Sequence, residues 1–378
     1  MKEPSFTIGI EEEYLLVDRE SRDLVTTMPK AMLEQCGARA DGQQVKPEFL
    51  RSQIEIGTRV CSNVAEVRES LRCLRRAVIE VADSHGLAPL AVSTHPFAKW
   101  TAQKHTERSR YHALSEEMQA AANRLLICGM HVHVGIEDEE LRIDLMNQAS
   151  YFLPHLLALS CSSPFWEGID TGLKSYRLTI FDALPRTGIP ERFVSYAEYQ
   201  RLVKIMVDAG VIEDATKIWW DIRPSAKYPT LETRIMDVCT DMEDAVCLAA
   251  LIVCVLRMLF RLRQNNGRWR IYSPLLISEN RWRAMRYSFD RGLLDLGRGK
   301  VMPVPQLVEE LLDLVRPDAE ALCCVAEVEH MRAILARGTS AHRQLAARAA
   351  ALERGMSERQ AYAAVVDHLI AETAKGVT

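Results

Sequence analysis

The chain contains 378 residues with a formal net charge of −4, and 48% of the residues are hydrophobic while 26% are charged. This composition is typical of a globular protein and gives no reason to expect nucleic acid or an anionic membrane surface as a partner. The length allows one large domain or two ordinary domains. Because we find no strong linker and no internal repeat, we predict a single domain over residues 1–378.

The N-terminus and the cysteines indicate the cellular compartment. The first residues, MKEPSFTIGIEEE, contain no apolar h-region, so we predict no signal peptide. The ten cysteines include no CxxC spacing, and thiols of a chain without an export signal stay reduced. We therefore predict a cytoplasmic protein.

The first predicted element is a strand over Phe6 to Asp18, FTIGIEEEYLLVD, in which polar and apolar residues alternate. Side chains of a strand point to opposite faces in turn, so Glu11 and Glu13 share one face. Two ionised carboxylates this close repel each other unless solvent, a basic group or a metal ion offsets the repulsion. Glu12 falls on the other face, where we expect at most an ion pair at the end of the strand.

Alternating strands and amphipathic helices follow along the chain. A second strand contains Gln53 and Glu55 on one face, and a helix follows, with an apolar stripe over residues 64–81. We predict another strand over residues 87–93. The basic loop 93–111 is either a lid over an anionic ligand or a solvated loop. Further helices are predicted over residues 111–126, 141–160 and 195–209.

The second half of the chain is predicted to be mainly helical. The longest apolar run, Ala245 to Leu256, is too short for the ~20 residues of a membrane span, so we predict a buried core helix capped by Thr240 or Asp241. From about residue 303 the sequence predicts one helix after another. The expected breaks lie at Pro317, Gly338 and Gly355.

Four predicted strands carry two polar groups on one face and mostly apolar groups on the other. This pattern indicates an antiparallel sheet with one face on a core of helices. The polar groups are mainly carboxylates and imidazoles, which are ligands of divalent metal ions such as Mg²⁺ or Mn²⁺. An ordinary polar sheet face with internal ion pairs is the alternative. The polar residues that share a face on each of the four strands are Glu11/Glu13, Gln53/Glu55, His131/His133 and Glu232/Arg234.

Ions of this kind usually accompany nucleotide phosphates, because Mg²⁺ keeps open coordination positions for them. Arg223 and Arg234 would then lie where charge develops on a phosphoryl group or a substrate carboxylate. The sequence contains neither GxxxxGK[ST] nor the glycine-rich turn of a dinucleotide fold, so we expect neither of those nucleotide sites.

Five segments of the chain resemble the bacterial carboxylate–amine ligases, also called glutamate–cysteine ligase type 2, which are related to glutamate–cysteine ligases and more distantly to glutamine synthetase. The segments are GIEEEYLLVD, SQIEIGT, CGMHVHVG, SPFWEGIDTGLKSYR and WWDIRPSAKYPTLETRIMD. The resemblance implies an α+β fold. Its bent antiparallel sheet forms a funnel-like active site, and helices pack on the outer face. It also implies bound ATP, divalent metal ions and a homodimer.

The resemblance assigns roles residue by residue. The G-I-E-x-E strand implies that Glu11 and Glu13 bind metal, and an acidic pair seven residues apart matches Glu48 and Glu55. The other implied metal ligands are His131 and Glu232, while His133 is a weaker candidate. Arg177, Arg223 and Arg234 are implied to act on phosphate or a substrate carboxylate. Arg223 and Arg234 are also implied to bind ATP.

The implied reaction is ATP-dependent amide formation through an acyl phosphate, with glutamate and cysteine as the expected small-molecule substrates. Such a reaction needs no protein nucleophile, and the sequence shows no Ser/His/Asp or Cys/His signature. Three alternatives stay open at this point. One is the same chemistry with a different amine acceptor, and a second is a metal-dependent amide hydrolase that uses the same carboxylates to activate water. The third is a protein that binds nucleotide without catalysing a reaction.

Overall fold

The computed structural model describes residues 2–107 and 116–377. The strands are β1 (Ile8–Asp18), β2 (Gln44–Pro47), β3 (Gln53–Gly57), β4 (Leu87–Leu90), β5 (Met130–Gly135), β6 (Phe165–Trp166), β7 (Ile169–Asp170), β8 (Thr187–Gly188), β9 (Trp219–Trp220), β10 (Ile222–Pro224), β11 (Thr230–Thr233), β12 (Leu293–Asp295) and β13 (Lys300–Met302). The first helices are α1 (Met32–Arg39), α2 (Val64–Ser84), α3 (Ala120–Asn123), α4 (Glu139–Ala149), α5 (Leu153–Ser160), α6 (Arg177–Phe181) and α7 (Tyr196–Asp208). They are followed by α8 (Met242–Gln264), α9 (Pro274–Tyr287), α10 (Val304–Ala321), α11 (Val325–Glu329), α12 (Met331–Arg337), α13 (Ser340–Glu353) and α14 (Glu358–Ala374).

A seven-stranded antiparallel sheet is built around β1. The first half of β1 pairs with β5, its centre pairs with β3, and its last residues pair with β4. The strand order is β10-β11-β5-β1-β3-β2, so β10 and β2 form the two ends of this path. The predicted α+β class with an antiparallel sheet is therefore confirmed.

Helices cover one face of the sheet. The apolar stripe of α2 is buried against β1 and β4, and α8 lies against β1, β5 and α2. Among the described residues, α8 is the one helix whose length and composition would allow it to cross a membrane. However, 83% of its most apolar window is buried inside the protein. Helix α8 is longer than the predicted apolar run, and it begins after the predicted N-cap Asp241, whose side chain accepts a hydrogen bond from the Glu243 N–H. Its burial is that of a core helix.

The back of β1 carries a buried ion pair rather than an ion pair at the end of the strand. The guanidinium of Arg75, on α2, donates to both carboxylate oxygens of Glu12, at 3.0 and 2.7 Å, and both side chains are 0% exposed. Arg75 also donates to the backbone carbonyls of Cys239 and Thr240, and Tyr14 donates its hydroxyl to Glu12. The pair thus joins β1, α2 and the segment that leads into α8.

The helical prediction for the C-terminal part is correct except at Pro317. Helix α10 continues through Pro317. A proline inside a helix costs about 3 kcal/mol, but the neighbouring Asp318 is fully buried and pairs with Arg257 and Arg261 of α8. We infer that these tertiary contacts offset the local cost. The predicted breaks at Gly338 and Gly355 are confirmed, because α12 and α13 end just before these residues.

Other predicted elements differ in detail. The predicted helix over 141–160 is confirmed as α4 and α5, separated by a 3₁₀ turn at Ser150–Phe152. The strand predicted over 87–93 is confirmed only as β4, which ends at Leu90. The predicted helix over 111–126 and the end of the loop 93–111 include residues outside the described ranges.

The buried pair of Glu12 and Arg75 yields a stability prediction. We expect Glu12→Gln to lower the free energy of unfolding by about 3 to 5 kcal/mol, because it leaves a buried guanidinium without its carboxylate. Replacing both partners by apolar residues, Glu12→Leu with Arg75→Met, is expected to recover part of this loss. Urea unfolding followed by circular dichroism measures both effects.

The matched control is the exposed pair of Lys204 and Asp208 on α7. We expect Asp208→Asn to change the free energy of unfolding by less than about 0.5 kcal/mol, since solvent screens exposed pairs. A Glu12→Gln loss no larger than that of Asp208→Asn would contradict the structural role of the buried pair.

Candidate active site

The register of the sheet brings the predicted polar residues to one face. Glu11 lies opposite His131 on β5, and Glu13 lies opposite Glu55 on β3. His133 lies opposite Glu232 on β11, which in turn lies opposite Arg223 on β10. These side chains line a cleft of ≈ 520 Å³, within the usual size range of small-molecule sites. The site residues predicted from sequence, including Glu48, Arg177 and Arg234, all line it.

One part of the cleft combines carboxylates with imidazoles. Ligand atoms of Glu11, His133 and Glu232 all lie within 4.8 Å of one another, and we call these residues the histidine group. The weaker candidate His133 is thus the imidazole that completes this group. His131 is also adjacent, with its Nδ1 3.5 Å from Glu11 Oε2, while His133 Nε2 lies 3.8 Å from the same oxygen. Both imidazoles therefore flank one carboxylate.

The protonation states of Glu11 and His131 suit metal binding. Burial and the positive charge of Arg234 lower the pKa of His131 to about 4, so its imidazole is neutral near pH 7. Burial acts to raise the pKa of Glu11, but the neighbouring side chains of His131 and His133 outweigh it and hold that pKa well below its usual range. An ionised carboxylate beside the neutral imidazole of His131 is a donor set for a divalent cation.

The other part of the cleft is a cluster of carboxylates. Ligand atoms of Glu13, Glu48 and Glu55 lie within 4.8 Å of one another, and we call these residues the carboxylate group. Burial and the charge of Glu55 raise the pKa of Glu13 to about 7. Burial, Glu48 and Glu11 raise the pKa of Glu55 to about 8. Lys46 lies 3.7 Å from Glu55 and acts to lower this pKa, but burial and the neighbouring carboxylates outweigh it.

Three arginines lie beside the two groups, and two of them are tied to Glu232. Arg223 donates its Nε–H to Glu232 at 2.9 Å, and Arg234 donates to the other carboxylate oxygen. Burial acts to raise the pKa of Glu232, but Arg234 and Arg223 outweigh it and hold that pKa well below its usual range. Arg223 also donates to the carbonyls of Thr216 and Ile218, which fixes its orientation.

Arg177 reaches the cleft across Gly129. Its guanidinium donates to the carbonyls of Arg234 and Ile235 at 3.3 Å and lies so close to Gly129 that a Cβ there would overlap it. The Gly129 N–H in turn donates to Glu13 at 2.8 Å. Gly129 is thus a site residue that sequence reasoning missed, although the CGMHVHVG segment contains it. Lys46 was missed as well, and its position two residues before Glu48 was the available signal.

The residues present fit divalent metal ions. The histidine group and the carboxylate group supply carboxylate oxygens and imidazole nitrogens, which are ligands for Mg²⁺ or Mn²⁺. The Nε2 atom of His133 is buried and has no hydrogen-bond partner among the described residues. Buried polar atoms are normally satisfied, so this nitrogen is available to a ligand.

The fold and this site define the class of protein. The structure is similar to the crystal structure of glutamate–cysteine ligase from Francisella tularensis in complex with AMP, with a TM-score of 0.69, 13% identity, and coverage of 100% of this chain and 91% of that one. It is also similar to a bifunctional glutathione synthetase from Pasteurella multocida, with a TM-score of 0.68, 16% identity, and coverage of 98% of this chain and 53% of that one. At these identities the likeness shows the fold, which is that of the glutamate–cysteine ligases.

Sequence comparison identifies the family. The family model described as glutamate–cysteine ligase family 2 matches residues 7–368. A relative from Rhodospirillum rubrum is 60% identical over 376 residues, covering 99% of this chain and 97% of the relative, and one from Jannaschia sp. is 54% identical over 365 residues, covering 97% and 96%. Both carry the provisional name glutamate–cysteine ligase 2. The chain belongs to glutamate–cysteine ligase family 2, a family of ligases.

The raised pKa values of Glu13 and Glu55 yield a pH prediction. In the ion-free protein these carboxyls contribute to the free energy of unfolding while they hold protons. This contribution is lost as pH rises through about 7 to 8. A divalent ion binds their ionised forms, so Mg²⁺ or Mn²⁺ is expected to raise the melting temperature more at about pH 8.5 than at about pH 6. Thermal melting with and without each ion measures the difference.

Glu55→Gln serves as the matched control for this experiment. The substitution removes one of the crowded carboxylates. We therefore expect it to raise the ion-free melting temperature at about pH 8.5 and to reduce the stabilisation by metal. An equal rise in melting temperature with metal at both pH values would contradict metal binding by the carboxylate group. The same rise in Glu55→Gln as in the wild type would also contradict it.

Proposed function

We propose that the protein is an ATP-dependent carboxylate–amine ligase that forms an amide through an acyl phosphate. The observation that carries the proposal is the single sheet face on which the histidine group and the carboxylate group lie side by side with buried arginines. Family membership supports the ligase chemistry, and the AMP complex of the Francisella tularensis enzyme supports a nucleotide site in this fold.

Glutamate and cysteine are the proposed substrates, with γ-glutamylcysteine as the product. The provisional names of the relatives support this choice. In the first step an oxygen of the γ-carboxylate attacks the γ-phosphorus of ATP, and the bond to the bridging oxygen breaks to release ADP. In the second step the amine nitrogen attacks the acyl carbon, phosphate leaves, and the nitrogen loses a proton.

The histidine group and the carboxylate group are proposed to bind metal ions, and the arginines beside them are proposed to bind the substrates. Mg²⁺ or Mn²⁺, when bound, would offset the charge of the β- and γ-phosphates. The proposed metal ligands are Glu11, Glu13, Glu48, Glu55, His131 and Glu232, with His133 as a further candidate from its position in the histidine group. Arg223 and Arg234 would bind ATP and offset charge on the transferred phosphoryl group, and Arg177 would bind phosphate or the substrate carboxylate.

The proposed reaction is tested by measuring phosphate release from ATP with Mg²⁺ and glutamate, with and without cysteine. We expect release to depend on both substrates, and mass spectrometry to show γ-glutamylcysteine. Release with another amine but not with cysteine would keep the ligase chemistry and change the acceptor. Cleavage of an amide to carboxylate and amine, with metal ion but without nucleotide, would instead indicate the hydrolase.

Substitution of one carboxylate in each half tests the metal assignment. We expect Glu55→Gln and Glu232→Gln each to lower turnover at least about 100-fold, because metal ligands in the active site hold the reacting groups in place. Glu232→Gln also leaves Arg223 and Arg234 without their carboxylate, so melting temperatures must accompany the kinetics.

The control for these substitutions is Glu309→Gln, which removes an exposed carboxylate that pairs with Arg332 on the surface. Its turnover is expected to equal that of the wild type. Near-wild-type turnover in both Glu55→Gln and Glu232→Gln would contradict the metal assignment. The homodimer implied by the family resemblance stays a prediction, which light scattering after size-exclusion chromatography would test.

A further inference from the structure

We infer that Tyr228 stacks on the nucleobase of the nucleotide substrate. This inference rests on the proposed function and assigns one contact within the same cleft. Tyr228 lies at the tip of the hairpin that joins β10 to β11, and it lines the cleft. Tyr228 is 52% exposed, and its ring meets the ring of His133 edge to face, with centroids 6.2 Å apart.

The order of the strands places the base at this end of the cleft. The histidine group lies on β11, β5 and β1, whereas the carboxylate group lies on β1, on β3 and just after β2. Arg223 and Arg234 flank the histidine group, so the phosphates are expected there. The carboxylate group occupies the side towards β2, which leaves the β10–β11 side for the rest of the nucleotide.

Hydrogen bonds of the hairpin hold the backbone of Tyr228 in a defined position. The Tyr228 N–H donates to Ser225 Oγ at 3.3 Å, and the Tyr228 carbonyl accepts from the Thr230 N–H at 2.7 Å. Thr230 Oγ1 in turn lies 3.0 Å from His133 Nδ1, so the hairpin is tied to the histidine group. A rigid aromatic ring loses little conformational entropy when a ligand stacks on it.

Other aromatic residues of the cleft are less suited to stacking. Phe49 is buried, and Phe181 lies beneath the guanidinium of Arg177. Trp219 lies at the same end as Tyr228, but the guanidinium of Arg186 lies over its ring at 5.4 Å. Of the aromatic residues described along the cleft wall, Tyr228 is the exposed one. Exposed aromatic rings stack on any base, which favours nucleotide over inorganic triphosphate.

The test compares Mg–ATP with Mg–tripolyphosphate, which lacks the base and the ribose, by isothermal titration calorimetry. We expect Tyr228→Ala to raise the Kd of Mg–ATP about fivefold or more and to leave the Kd of Mg–tripolyphosphate unchanged. Tyr228→Phe keeps the ring and is expected to retain wild-type affinity for Mg–ATP. The matched control is Trp282→Ala, which removes the ring of a residue of α9 that is 48% exposed and is expected to leave the Kd of Mg–ATP unchanged.

The outcomes separate this inference from the proposed function. Wild-type affinity for Mg–ATP in Tyr228→Ala would overturn the stacking contact alone. An equal loss of affinity for Mg–tripolyphosphate would also overturn it, since the effect would then lie in the phosphate site. A raised KM for the amine substrate with an unchanged Kd for Mg–ATP would assign the ring to the acceptor instead. Wild-type protein that binds neither Mg–ATP nor Mg–tripolyphosphate would overturn the proposed function as well.

Discussion

The buried ion pair of Glu12 and Arg75 is the interaction on which the orientation of β1 depends. Both side chains are fully buried, so neither can leave the other without placing an unpaired charge in the interior. Because residues of a strand alternate, holding Glu12 against α2 directs Glu11 and Glu13 to the opposite face. A slip of one residue would bury these two carboxylates in the helical core. The ion pair on the helix-covered face of the sheet thus determines which carboxylates line the cleft on the other face.

The two halves of the cleft differ in how their charges are balanced. In the histidine group, Glu232 already has Arg223 and Arg234 as partners, and its carboxyl stays ionised. In the carboxylate group, the charges crowd one another, and burial together with this repulsion raises the pKa of Glu13 and Glu55. Such a cluster must take up either protons or cations. This difference is the physical basis for proposing divalent ions on the sheet face.

Much of the fold and the site could be predicted from sequence, because a strand's period of two assigns each side chain to a face. The pairs Glu11/Glu13, Gln53/Glu55 and His131/His133 indeed lie on the cleft side. Which groups meet across strands could not be predicted, since this depends on register. The same holds for the contact of Arg177 with Gly129, which brings together residues far apart in the chain. Pro317 misled the helix prediction because buried pairs of Asp318 outweighed a local preference.

The sequence by itself determined the strands that carry the polar pairs, the polar face, the core helix and the family, all of which follow from local periodicity and from motifs contiguous in the chain. Only the tertiary structure decided that His133 completes a group with Glu11 and Glu232, and that Glu12 pairs with Arg75. It also decided which carboxyls hold protons near pH 7. The physical reason is that charge interactions depend on distance and burial, and both arise only when distant segments pack together.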